Sequence, residues 1–123
     1  MENDRVKFKK DFKKRTYTFV LRLLKFIDNI PKSQTNNVLG KQLIRSGTSI
    51  LANYIEAASA SSKRDFINFF NYSLKSANES RVWLALLRDA SRVDKKEVEI
   101  LLKELGEIAN ILASSIITLK SKK

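Results

Sequence analysis

The stretch QLIRSGTSILANYIEA, residues 42–57, decides how the chain folds. Leu43, Ile50 and Tyr54, with Leu39 ahead of them, recur at helical spacing, and Ile44, Leu51, Ile55 and Ala58 form a neighbouring stripe. Between them stand Arg45, Ser46, Gly47, Thr48, Ser49 and Asn53, most of them residue types that favour caps and turns over helix interiors. On a helix, Gln42, Ser46, Ser49, Asn53 and Glu56 fall on one line in steps of four and three, with Gly47 beside it. A small polar stripe of this kind admits close approach by another helix. That packing compensates the cost of about 1 kcal/mol that glycine carries relative to alanine inside a helix. The stretch reads as a helix stabilised by its partners, not as a loop.

Working outward, three more segments carry the helical period. Phe8, Phe12, Phe19, Leu23, Phe26 and Ile30 mark a first helix over residues 4–30, and Pro31 ends it because the residue before a proline is driven out of the α region. The helix holding the opening stretch spans residues 37–59, with a tight turn near Ala60. A third, over residues 62–93, opens on a capping box from Ser62 to Asp65 and carries Phe66, Phe69, Phe70, Leu74, Ala77, Val82, Leu84, Leu86 and Leu87. A fourth, over residues 95–119, opens on Asp94 and Glu97 and shows a clear apolar face from Val98 to Leu119. The connections are short, so consecutive helices are expected to be antiparallel neighbours. The predicted fold is all-α: a single domain over residues 1–123, built as an up-down-up-down four-helix bundle.

With the turn near Ala60, positions on the second and third helices whose numbers sum to about 121 should face each other. Arg45 then lies near Glu79, steadied by Gln42, while Asn53 and Glu56 lie near the start of the third helix. The expectation is a structural polar network of Gln42, Arg45, Asn53, Glu56 and Glu79. Its Arg–carboxylate pair would set register more than add stability. Trp83 and Tyr54, aromatics at helical spacing, are expected to be packed.

Composition narrows the function. With neither cysteine nor histidine among 123 residues, disulfides, the usual zinc sites and any His or Cys triad are excluded. No cofactor or metal is expected, and no enzymatic activity. Glu97, Glu99, Glu104 and Glu107 supply carboxylates of the kind two-metal chemistry needs, but they stand beside Lys96 and Lys103 on what reads as a solvated face. The N-terminal MENDRVKFKKDFKK has no apolar signal-peptide core, and no window is apolar enough to span a membrane. An amphipathic membrane-surface role for residues 5–27 is weak, since the basic and apolar halves are largely sequential rather than opposed. The chain reads as cytoplasmic.

Charge is the strongest compositional signal: 24 Lys+Arg against 13 Asp+Glu give a net +11. It is concentrated in RVKFKKDFKKR, residues 5–15, with seven basic residues and one acidic. Lys7, Lys10 and Lys14 share one helical face, Lys9 and Lys13 lie beside it, and Arg15 follows. These six are the candidate nucleic-acid-binding residues. RNA is the expected partner, held by shape and backbone, because no RNP aromatics or GXXG loop is present. A solvated basic helix end that binds nothing specific is the bland alternative.

The run RSGTSILANYIEAASASSKRDFINFFNYSLKSANESRVWLALL resembles the bacterial four-helix-bundle proteins of the 23S rRNA intervening-sequence family. The motif is matched from Gln42, Leu43 and Arg45–Ile50 through Ala52, Asn53, Tyr54, Glu56, Ala57, Ala60 and Ser62 to Asp65, Phe66, Ile67, Leu74, Ala77, Glu79, Trp83 and Leu84. It departs at Ser76, where the family often carries an acid, and near Phe69, where it often carries a base. The resemblance implies a homopentamer in a tapered barrel, with no established catalytic activity. It also links the chain to accessory proteins of diversity-generating retroelements, which bind nucleic acid and reverse transcriptase. A scaffold recruiting such a protein partner is therefore the alternative to a nucleic-acid binder.

Overall fold

The computed structural model describes residues 3–122, Arg5 by its backbone alone; residues 1, 2 and 123 of the expected domain lie outside the described residues. The chain forms four helices, α1 (Asp4–Asn29), α2 (Gln34–Ala58), α3 (Lys63–Ala90) and α4 (Lys95–Ser121), with no strand among the described residues. Together they make a four-helix bundle. α2 packs most extensively on α3, α3 next on α4, and α1 is held less tightly, least of all against α4.

Each helix starts on a side-chain cap. Asn3, Ser33, Ser62 and Asp94 accept from the backbone N–H three residues on, at 2.9–3.2 Å, satisfying donors that the first turn leaves without intrahelical partners. The reciprocal halves of the two expected capping boxes are not made. The Asp65 carboxylate instead accepts from the Ser61 hydroxyl, and that of Glu97 accepts from Arg22. α2 starts at Gln34 rather than residue 37 because Ser33 is the cap. Buried Asn36 ties this junction together: its Nδ2 donates to the Pro31 carbonyl (2.8 Å) and its Oδ1 accepts from Ser91 Oγ at the end of α3 (2.7 Å). α3 ends at Ala90, short of the expected residue 93. Ile30, ahead of Pro31, is extended as the proline requires.

Leu23, Leu43, Ile50, Leu84, Leu87, Leu101, Leu105, Ile108 and Leu112 are fully buried at the centre. Each such side chain contributes about 1.5–3 kcal/mol of transfer free energy. Phe8, Ile44, Ile55, Val82 and Leu86, read from the sequence as part of the apolar faces, are instead exposed. Helical spacing places them beside the buried line, but among the described residues no fifth element covers them.

Candidate nucleic-acid interface

The amino half of α1 divides its basic residues into two kinds. Lys7, Lys9, Lys10, Lys13 and Lys14 are all exposed, and among the described residues Lys7, Lys9, Lys13 and Lys14 pair with no carboxylate. Phe12 beneath them is buried, edge-on to Tyr54 with ring centroids 4.8 Å apart. Phe8 stacks on Phe12 at 6.1 Å and keeps 47% of its surface exposed. The Tyr54 hydroxyl donates to the Lys9 carbonyl (3.4 Å), and its burial pushes the phenol above its ordinary pKa. The lysine-bearing turns are thus pinned from below by aromatic packing.

Arg15 belongs elsewhere. Its guanidinium makes a fork to Glu104 of α4, Nε–Oε2 2.7 Å and Nη2–Oε1 2.6 Å, with Glu107 at 3.4 Å. The Arg15 and Glu104 side chains are 36% and 30% exposed. Two α4 turns earlier in the chain, Arg22 makes the same fork to Glu97 at 2.6 and 2.8 Å. These charge-assisted bonds raise both arginine pKa values, and the Arg22 guanidinium holds the Glu97 carboxyl below its usual range. So Arg15 fastens α1 to α4 instead of adding to the lysine surface. Three of the four carboxylates expected on a solvated face, Glu97, Glu104 and Glu107, pair with these two arginines, and the fourth, Glu99, accepts from Arg88 at 3.1 Å. The signal was present: Arg15 and Arg22 are a heptad apart, as are Glu97 and Glu104. Among the described residues no group of three or more His, Cys, Asp or Glu side chains is arranged to hold a metal ion.

The expected network on α2 and α3 does not form within one chain. Gln42, Arg45, Glu56 and Glu79 are exposed, and no hydrogen bond or ion pair joins Arg45 to Glu79. Asn53 turns back on its own helix, donating to the Ser49 carbonyl and hydroxyl at 2.9 and 2.8 Å. Hydroxyls fill the seam instead. The Ser46 and Ser80 oxygens are 2.7 Å apart, Ser76 Oγ donates to Ser49 Oγ (3.0 Å), and Ser73 Oγ donates to the Ile50 carbonyl (2.8 Å). Ser46, Ser73, Ser76 and Ser80 are buried. The α2–α3 register is therefore displaced by up to about one helical turn from that expected. Serine hydroxyls occupy the seam, and Arg45 and Glu79 stay at the exposed surface. Gly47 faces α1, not α3: a Cβ there would lie 2.3 Å from Leu23 Cδ2. Trp83 is half-buried, and its indole Nε1 is buried without an acceptor.

The family model described as 23S rRNA-intervening sequence protein matches residues 9–114, nearly the whole bundle. The chain belongs to that family. Among solved structures, this 23S rRNA-intervening sequence family member is similar to a protein of unknown function from the S23 ribosomal protein family of Bacteroides thetaiotaomicron. The two share 36% sequence identity, with 88% of this chain and 96% of that one covered and a TM-score of 0.81. No curated protein matches the chain. No helix of the described residues is long and apolar enough to cross a membrane.

Proposed function

We propose that this family member is a non-enzymatic, cofactor-free cytoplasmic protein that assembles with copies of itself and binds nucleic acid, RNA in particular, through backbone electrostatics. The observation that carries the reading is the solvated lysine surface of α1, from Lys7 to Lys14, on a chain of net charge +11. Neutralising phosphates releases counterions, so affinity should fall steeply with salt. Self-assembly, as the homopentamer the family resemblance implies, is supported by the apolar residues that one chain leaves uncovered, Tyr72, Val82 and Leu86 on α3 among them. The exposure of Arg45 and Glu79, and the unpaired Trp83 indole, also suit contacts supplied by another copy. An antiparallel up-down-up-down order belongs to the same reading, supported by Arg15 meeting Glu104 while Arg22 meets Glu97.

The test is binding to a structured RNA across a salt series, with particle mass followed by light scattering. Tight binding at low salt with a steep negative slope, weakened by Lys7→Glu, Lys10→Glu and Lys14→Glu together at unchanged helicity, is the expected result. Absence of binding near physiological salt would make the charge a solubility feature. The exposed apolar faces equally favour a second reading, a scaffold that recruits a protein partner such as a reverse transcriptase. Binding to a purified reverse transcriptase that survives the triple lysine reversal would favour it.

A further inference from the structure

On the outward face of α1, Tyr17 and Leu21 stand among lysines. At about 100° per residue, Lys7, Lys14, Tyr17 and Leu21 fall within an arc of roughly 80°, on the side of the helix away from buried Phe12, Phe19 and Leu23. Among the described residues α1 packs on α2 and α4 but not on α3, and Tyr17 and Leu21 are 54% and 52% exposed. Tyr17 differs from the other exposed aromatic residues. Phe8 stacks on Phe12 and Tyr72 meets Phe69 edge-on, whereas among the described residues the Tyr17 ring has no aromatic partner and its hydroxyl no hydrogen bond. Lys13 and Lys14 stand one turn before it, at the spacing where helical side chains are neighbours, and both are exposed without a carboxylate partner among those residues. We propose that Tyr17 stacks on an unpaired base while Lys13 and Lys14 hold the flanking phosphates of a single-stranded RNA, which rests on nucleic-acid binding by the α1 surface and gives that surface a contact duplex RNA cannot make.

Duplex RNA keeps its base faces inside the stack and offers a ring on a convex helix only sugars and phosphates. An apolar ring there would displace water from charged groups without pairing them, which is a net cost. An unpaired strand exposes π-faces that an aromatic side chain can receive, and its phosphates track a basic surface alongside them. Lys10 shares the face, but the contact needs only the lysines one turn from Tyr17. Asp11, the one acid among residues 5–15, lies about 120° round the helix from Tyr17. A membrane surface suits this face less. The continuous apolar side of α1 is turned to the core, and on the outward side lysines interrupt the apolar residues.

Fluorescence anisotropy of the full chain with three labelled probes of about 12 nucleotides, within the usual site size, tests the assignment: an oligouridylate, an abasic strand of the same length, and an RNA duplex. At low salt all three should bind, and the oligouridylate more tightly than its abasic counterpart. Tyr17→Ala should weaken oligouridylate binding roughly 5- to 150-fold, the loss of one base–aromatic stack, and leave the abasic and duplex affinities and the circular dichroism spectrum unchanged. Tyr17→Phe should bind all three like the wild type. The salt slope should be untouched by Tyr17→Ala and reduced by Lys13→Gln with Lys14→Gln. Equal wild-type affinity for the oligouridylate and the abasic strand, or a Tyr17→Ala loss shared by all three probes, would overturn the stacking and leave nucleic-acid binding standing. No binding to any probe would overturn both. A Tyr17→Ala change in particle mass by light scattering would overturn the stacking by placing the ring between copies of the chain. So would Tyr17→Ala abolishing binding to phosphatidylglycerol vesicles while oligouridylate binding is kept, since the ring would then serve a membrane.

Discussion

Gly47→Ala will destabilise the bundle, and Gly106→Ala, an identical change in another helix interior, will stabilise it. Both positions gain about 1 kcal/mol of helix propensity from the methyl group. They differ in what that methyl meets. At Gly106 nothing lies within 4 Å of the new Cβ, so the gain stands alone. At Gly47 it would sit 2.3 Å from Leu23 Cδ2, well inside the 3.5–4.0 Å at which carbon atoms attract. Leu23 is 0% exposed, so its side chain can give way only by displacing other core atoms. Overpacking of this kind costs about 1–3 kcal/mol, leaving a net loss of about 1 kcal/mol and a fall in Tm of roughly 3–6 °C for a domain of this size. Urea denaturation followed by circular dichroism, at one fixed protein concentration, measures both variants. A second comparison isolates the cause. Leu23→Ala alone should cost about 2–5 kcal/mol, but in that background Gly47→Ala should become stabilising by about 1 kcal/mol, because the blocking atom is gone. A Gly47→Ala single variant as stable as the wild type, or an unchanged sign in the Leu23→Ala background, would refute the steric argument.

Ser80→Ala should cost about 1–2 kcal/mol by depriving the buried Ser46 hydroxyl of its 2.7 Å partner. Adding Ser46→Ala should cost less than the two single changes combined, as a double-mutant cycle in denaturant would report. Because Arg22 holds the Glu97 carboxyl below its usual pKa, the pair's contribution is complete above the unfolded value of about 4.3 and is lost as pH falls through the lower folded value. Glu97→Gln should therefore flatten the acid limb of a Tm–pH profile. At neutral pH it should cost less than about 1 kcal/mol, since Arg22 is half exposed. Trp83→Phe should be close to neutral in a dilute, monomeric sample, because the lost indole volume is offset by removal of an unpaired buried N–H. A loss of several kcal/mol there would reveal an acceptor that the indole uses.

Four helices were legible because their apolar residues keep the 3.6 period over long runs, and because SKRD and DKKE announce two starts. The start of α2 was not, since Ser33 lies in a polar run, PKSQTN, that resembles a loop until one residue is seen to cap. The α2–α3 seam was only half legible. Its small residues signalled close approach, but charge drew the reading toward Arg45 and Glu79, whereas hydroxyls that need little space took the interior. Periodicity also could not assign Phe8, Val82 and Leu86 to core or surface, because they flank a wide stripe whose edge depends on where neighbouring helices stop. The lysines of α1 were legible as a basic surface. Separating Arg15 from them required knowing which helix lies alongside, and only the bundle supplies that.

The two Arg–Glu forks between α1 and α4 repeat at a heptad interval. Were α1 displaced along α4 by one heptad, one fork would survive, Arg22 against Glu104 or Arg15 against Glu97. Charge alone therefore discriminates weakly between the native alignment and its neighbours. Volume discriminates better. The notch over Gly47 receives Leu23, and the same displacement would bring to it either Thr16, too small and too polar to fill it, or Ile30, which lies beyond the end of the helix. A single missing side chain thus selects one alignment from a set that the ionic contacts would accept, and the order of the helices is written partly as an omission.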